Sequence, residues 1–334
     1  MAGPYRRGGF QPRLLVLLGI CAALLTACAS ASFDPLVAKK TGPPVPFGVD
    51  VGFSEDDVRN GVVATKEQCD LVENSVWAQT EDAGQACLRY WAAGFSSTVS
   101  NRAVVYFAGD CWSYSKGLES VCREQTTARL KANAEGGSKQ LGVPYIVFAR
   151  PGVFGSSGDH MQRRRPAESK LISAGLDGLK KRLRIDEFVL VGQSGGGHVA
   201  ASLITLRSDV VCAVPASANS SPRIRWQTLN WTRDATGYDD SYEPHEHLVK
   251  SRMHPKLRVF VLGDPNDGNA VWASQTVLAD KLRAAAIPVE VLTGQGVGAN
   301  AHGLAQSAVT VAGWCANNIP TAEIVRRAAA GLRG

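Results

Sequence analysis

"EFVLVGQSGGGHVAAS", residues 187–202, is the stretch on which the fold turns. Its first half is a continuous apolar run, the pattern of a strand buried on both faces. Its second half is helix-forming. Between them Ser194 stands alone, flanked by Gly192 and by Gly195-Gly196-Gly197. Glycine loses more freedom on folding than any other residue, so four around one hydroxyl imply a turn that side chains would obstruct. Gly192-Gln193-Ser194-Gly195-Gly196 fits G-x-S-x-G, a strained strand-to-helix turn that lifts a serine above a sheet. The plainer reading is a Gly-rich turn that only packs closely or holds an anion.

Outward from this stretch a rhythm of strands and helices appears. Residues 102–109, 144–152, 187–192, 209–217, 256–263 and 288–294 read as strands. Residues 168–183, 196–207, 272–287 and 303–319 read as helices, the first with Leu171, Ile172, Leu176 and Leu179 at helical spacing. Apolar strands alternating with helices predict an α/β chain with a mostly parallel sheet covered on both faces, and sites at the carboxyl ends of its strands. Residues 50–100 carry no clear pattern. Residues 217–255, polar, aromatic and basic, break the rhythm and predict a cap over the site.

The motif in this setting resembles the α/β-hydrolase superfamily over roughly residues 100–319, which implies an eight-stranded-type sheet and a catalytic order of Ser, acid, His. The resemblance makes Ser194 the nucleophile, with Gly195 N–H in the oxyanion hole. "VFVLGDPNDGNAV" offers two acids, Asp267 and, as the alternative, Asp264; reading back from Ala270-Val271 favours Asp267. His302, in the loop before the last helix, is the expected base, and Gly303 behind it lets the loop turn. His198 lies on the elbow's own helix and reads as packed. The second oxyanion donor, by position, is the N–H of Asp110 or Cys111 in "FAGDCWS", where esterases carry HG-type residues that this chain lacks. "ARPGVFGSSGDH" (149–160) resembles the prolyl-oligopeptidase-like and dienelactone-hydrolase-like branches. The run Arg163-Arg164-Arg165 reads as a solvated face.

The ends of the chain have other signatures. A basic n-region and a short apolar core precede Leu25-Thr26-Ala27-Cys28, which resembles a bacterial lipobox. Residues 1–27 are then a signal peptide, Cys28 the lipidated residue and residues 28–48 a Pro-rich tether. Ordinary secretion, with cleavage after Ala29-Ser30-Ala31, and a plain membrane anchor are the alternatives. All three place the mature chain outside the cytoplasm, lipid-anchored in the envelope on the first reading. The hydrolase domain spans 49–320, and 321–334 reads as a C-terminal tail. Six cysteines follow Cys28. Sequence proximity and elimination suggest Cys69–Cys87, Cys111–Cys122 and Cys212–Cys315 as disulfides, with unpaired buried thiols as the alternative.

Composition is globular: 334 residues, 45% hydrophobic and 20% charged. Three leader arginines, Arg6, Arg7 and Arg13, account for half the net charge of +6, which leaves no basic signature for nucleic acid. His245-Glu246-His247 lacks an identifiable third metal ligand, and neither a dinucleotide fingerprint nor a Walker loop is present. No metal and no organic cofactor is therefore expected. The expected reaction is hydrolysis of a small-molecule carboxylic ester through an acyl-enzyme. A serine peptidase, acyl transfer to another alcohol, and a non-catalytic envelope binding protein are the alternatives. Oligomeric state is not legible.

Overall fold

The computed structural model describes residues 1, 3, 37, 39–48, 54–95, 100–113 and 117–333. The leader and Cys28 lie outside the described residues, apart from Met1 and Gly3. The unit Phe33–Gly334 holds everything that follows.

Among the described residues, eight strands form the main sheet. They are β1 (Ser75–Thr80), β2 (Gly84–Ala93), β3 (Ser100–Phe107), β4 (Tyr145–Phe148), β5 (Ile185–Gln193), β6 (Val210–Ala216), β7 (Arg258–Gly263) and β8 (Val289–Thr293). Their order is β1-β2-β4-β3-β5-β6-β7-β8. β2 runs antiparallel to both β1 and β4, and β3 to β8 are parallel throughout.

Strand alternation makes two cores. Val189 and Val191 of β5 face one side, Phe188 and Leu190 the other. The first face is covered by α1 (Thr127–Leu141), α6 (Ala305–Ala316) and α7 (Thr321–Ala329). The second is covered by α2 (Pro166–Leu183), α3 (Gly195–Leu206) and α5 (Trp272–Ala284). The segment after β6 holds the short helix α4 (Pro222–Thr228) and two single 3₁₀ turns. The three suggested cysteine pairs all stand at bonding distance, with Cα separations of 5.5, 5.5 and 6.5 Å. Cys212–Cys315 ties β6 to α6, and Cys111–Cys122 ties the loop after β3 to the segment before α1.

Four elements depart from the expectations above. β1 and β2 lie in the stretch that showed no pattern, because an antiparallel pair at a sheet edge mixes polar and apolar positions. α1 was not anticipated: only Leu130 and Ala134 are buried along it, too narrow a stripe to register as amphipathic. The expected tail is a helix and is not loose, since Ile324 and Ala328, four apart, are buried against the core and Gln295 N–H bonds the Leu332 carbonyl. The end of the expected tether also belongs to the body. Val45–Pro46 pairs with Val62–Val63, and Asn60 Oδ1 accepts the N–H groups of Thr41 and Gly42.

Candidate active site

Ser194 follows β5 directly and caps α3, with φ 57° and ψ −121°. A non-glycine residue there carries strain of about 1–3 kcal/mol, which persists only when its surroundings dictate it. They do. Its N–H donates to the Ala216 carbonyl at 2.9 Å, and its own carbonyl accepts the His198 N–H at 3.0 Å. A Cβ on Gly192 would collide with the Gly196 carbonyl, and one on Gly196 with the carbonyl of Phe107. The glycines are thus required by the closeness of β3, β5 and α3, and the serine is raised at their common carboxyl end.

The loops after β7 and β8 bring the other two residues to the same rim. His302 Nδ1 lies 2.8 Å from Asp267 Oδ2 and 3.0 Å from Oδ1. Asp267 is buried, and its Oδ1 also accepts the N–H groups of Asn269 and Ala270 at 2.8 and 2.9 Å. With a carboxylate at Nδ1, that nitrogen carries the proton, which leaves Nε2 as the basic atom. Ser194 and His302 line one cavity of about 770 Å³. No hydrogen bond joins their side chains, a contact that commonly tightens only when substrate is bound.

Asp264, the alternative acid, makes no hydrogen bond to the imidazole. Its carboxylate accepts Asn266 N–H at 2.8 Å and Gly296 N–H at 2.9 Å, so it pins the acid loop to the histidine loop. Gln193, not singled out in the sequence, does similar work. It donates to the His302 carbonyl at 3.0 Å and accepts the Leu304 N–H at 3.3 Å, holding the histidine loop to the elbow. Its position as the variable residue of G-x-S-x-G was the only signal.

Of the two expected second oxyanion donors, Cys111 is excluded: its N–H donates to His160 Nε2 at 3.1 Å. The N–H groups of Gly195 and Asp110 have no acceptor among the described residues.

The loop carrying Asp110 is anchored by charge. Arg163 and Arg164 are buried, contrary to the expected solvated face; only Arg165 of that run is partly exposed, paired with Asp240. Asp110 accepts from Arg150 at 2.9 Å, from Arg163 at 3.1 Å and from Arg164. Arg164 continues to Asp234 and Arg150 to Glu168. Burial alone would raise the Asp110 carboxyl, but Arg164, Arg163 and Arg150 hold it well below the usual range. The counter-charges lie tens of residues from the run, so the sequence alone showed only one sign. Removing one member of such a network leaves buried charge unpaired. Asp110→Ala is expected to cost about 3–5 kcal/mol, read as a lower urea midpoint.

His198 is a packed residue, as expected. It is fully buried, with Nε2 2.8 Å from the Tyr242 carbonyl, and burial pushes its pKa down to about 4 from 6.5. The unfolded chain therefore takes up a proton below pH 6.5 that the folded chain refuses until about pH 4. This contribution is present above pH 6.5 and is lost as pH falls to about 4, a loss of about 3 kcal/mol in all. Glu243, which burial raises to about 7, works in the opposite direction, so total stability does not isolate His198. Urea unfolding of wild type against His198→Gln does: the wild-type advantage at pH 7 is expected to shrink by that amount at pH 4.

Strand order, an antiparallel second strand, and serine, acid and histidine after β5, β7 and β8 define the α/β-hydrolase fold. No protein-family model and no curated protein matches the chain. Among solved structures it is similar to Pyrococcus horikoshii acylaminoacyl peptidase, at 10% identity and TM-score 0.46, over 66% of this chain and 36% of that one. It is similar to Est1E of Butyrivibrio proteoclasticus with ferulic acid bound, at 12% and 0.47, over 65% and 88%. It is also similar to esterase PE8, at 15% and 0.47, over 70% and 99%. The chain thus spans about a third of the length of the peptidase.

Proposed function

We propose that this protein is a serine hydrolase that cleaves carboxylic esters through an acyl-enzyme. The observation that carries this reading is the strained Ser194 elbow sharing one cavity with a His302–Asp267 pair. Ser194 Oγ attacks the carbonyl carbon as His302 Nε2 takes its proton. Asp267 holds the imidazole in the required tautomer and stabilises the imidazolium. The N–H groups of Gly195 and Asp110 meet the developing oxyanion. His302 returns the proton to the departing alkoxide, and water repeats the sequence on the acyl-enzyme. The partly enclosed cavity, within the range of small-molecule sites, supports an ester of modest size over an extended peptide.

Location belongs to the same proposal. Three cysteine pairs at bonding distance support an oxidising compartment, and the lipobox-like segment supports a membrane anchor at Cys28. Cys28→Ser is expected to move the protein from the membrane to the soluble fraction; unchanged membrane association contradicts the anchor.

A panel of short acyl esters and aminoacyl amides, run on wild type and Ser194→Ala, tests the activity. Ester hydrolysis that depends on Ser194 supports the reading. Equal rates for both proteins indicate a binding scaffold, and Ser194-dependent cleavage confined to amides indicates a peptidase.

A further inference from the structure

The cavity at Ser194 does not stop at the rim. It continues down the face of the sheet, between α1 and α6, as far as the rings of Tyr106 and Tyr145. Strand register fixes the depth. Ser194 lies two residues past Gly192, which pairs with Phe107, and Tyr145 pairs with Val104. Tyr106 is therefore three strand positions below the serine and Tyr145 five, roughly 10 and 17 Å at the rise of a strand. Gln306 on α6 donates to Gln140 on α1 at 3.2 Å, a bridge between the two helices that flank the slot.

Packing does not explain this slot. A helix that covers a sheet normally fills its inner face with large apolar side chains. Here α1 places Gly136 and Gly137 side by side in its interior, where glycine disfavours the helix. Gly137 makes room for the Tyr145 ring, since a Cβ there would stand 2.6 Å from it. Gly136 makes room for nothing in the protein, because a Cβ there would meet no atom within 4 Å. It lines the slot without filling it. At the inner end the hydroxyls of Tyr106 and Tyr145 have no hydrogen-bond partner among the described residues, while Val147 and Val309 make the walls apolar. Burial pushes Tyr106 up to about 12, so its phenol stays neutral and is both donor and acceptor.

We propose that the slot seats one side of the substrate: a slim apolar chain that reaches Tyr106 and ends in an oxygen hydrogen-bonded by Tyr106 or Tyr145. This substrate class rests on the ester-hydrolase reading of Ser194. It gives the site two ends, the reacting carbonyl at the rim and a polar terminus at depth, with apolar walls between.

Two matched substrate sets test it. One varies the acyl side with a common leaving group: acetyl, octanoyl and ω-hydroxyoctanoyl esters. The other varies the alcohol of an acetate ester: ethanol, octanol and octane-α,ω-diol. In one set kcat/KM is expected to rise about tenfold or more from short to long chain, and further with the terminal hydroxyl. Gly136→Leu is expected to abolish the rise with length, and Gly136→Ala to reduce it. Both substitutions favour the helix, so loss of fold is not the expected cause. The double variant Tyr106→Phe, Tyr145→Phe is expected to remove only the preference for the terminal hydroxyl. Ser194-dependent hydrolysis of short esters with no length preference in either set would overturn the proposal. So would a length preference that survives Gly136→Leu, or a hydroxyl preference that survives loss of both tyrosine hydroxyls. Calorimetric binding of ω-hydroxyoctanoate to Ser194→Ala separates the two readings. Binding weakened by Gly136→Leu, without turnover of any ester by wild type, keeps the slot and removes the hydrolase; no binding and no chain preference removes the slot alone.

Discussion

His302→Ala is expected to lower kcat on a short ester by about 10⁴- to 10⁶-fold, and Ser194→Ala to do the same. The reason is that the two act as one unit. Without the imidazole the hydroxyl has no proton acceptor at the rim: His198 is sealed under Tyr242, and His160 Nε2 is occupied by the Cys111 N–H. Without the hydroxyl the imidazole has nothing to activate but water. The double variant is therefore expected to be no slower than either single one, within about threefold. The residue of activity in all three is that of oriented binding next to the Gly195 and Asp110 N–H groups. Steady-state kinetics on purified, oxidised protein measure this directly. Losses that multiply would show that the two residues act independently and contradict their pairing.

Asp267→Asn is expected to cost about 10⁴-fold in kcat, whereas Asp264→Asn stays within about tenfold of wild type. The two carboxylates are three residues apart in one loop and have different work. Asp267 accepts from His302 Nδ1, and an amide at that place can present its NH₂ to the ring and select the wrong tautomer. Asp264 accepts from the backbone of Asn266 and Gly296, and an asparagine keeps one acceptor oxygen for that purpose. Its loss is expected in thermal stability more than in rate. The same kinetic assay, with melting curves beside it, separates the roles. A large loss of rate with Asp264→Asn at unchanged stability would reverse the assignment.

The sequence was most informative where one segment carries its own signal. Near-continuous apolar runs marked β3 to β8, because a parallel strand buried on both faces has no need of polar alternation. The elbow was legible because steric exclusion around Ser194 permits only glycine at Gly192 and Gly196. His302 and the loop of Asp264 and Asp267 followed from their order along the chain, and reading back from Ala270-Val271 favoured Asp267, the carboxylate that stands against His302 Nδ1. What stayed hidden depends on partners remote in sequence. Arg163 and Arg164 read as surface until Asp110 and Asp234 stand beside them. Cys111 read as an oxyanion donor until His160 claims its N–H. Helix α1 gave no stripe because part of the face it turns to the sheet lines a cavity and is not packed in a core.

The most direct test is labelling with a fluorophosphonate, followed by mass spectrometry of the digested, disulfide-intact protein. A single adduct on the peptide containing Ser194 is predicted, absent in Ser194→Ala and strongly slowed in His302→Ala. Folded protein that takes up no label, or takes it at another residue, would contradict the account.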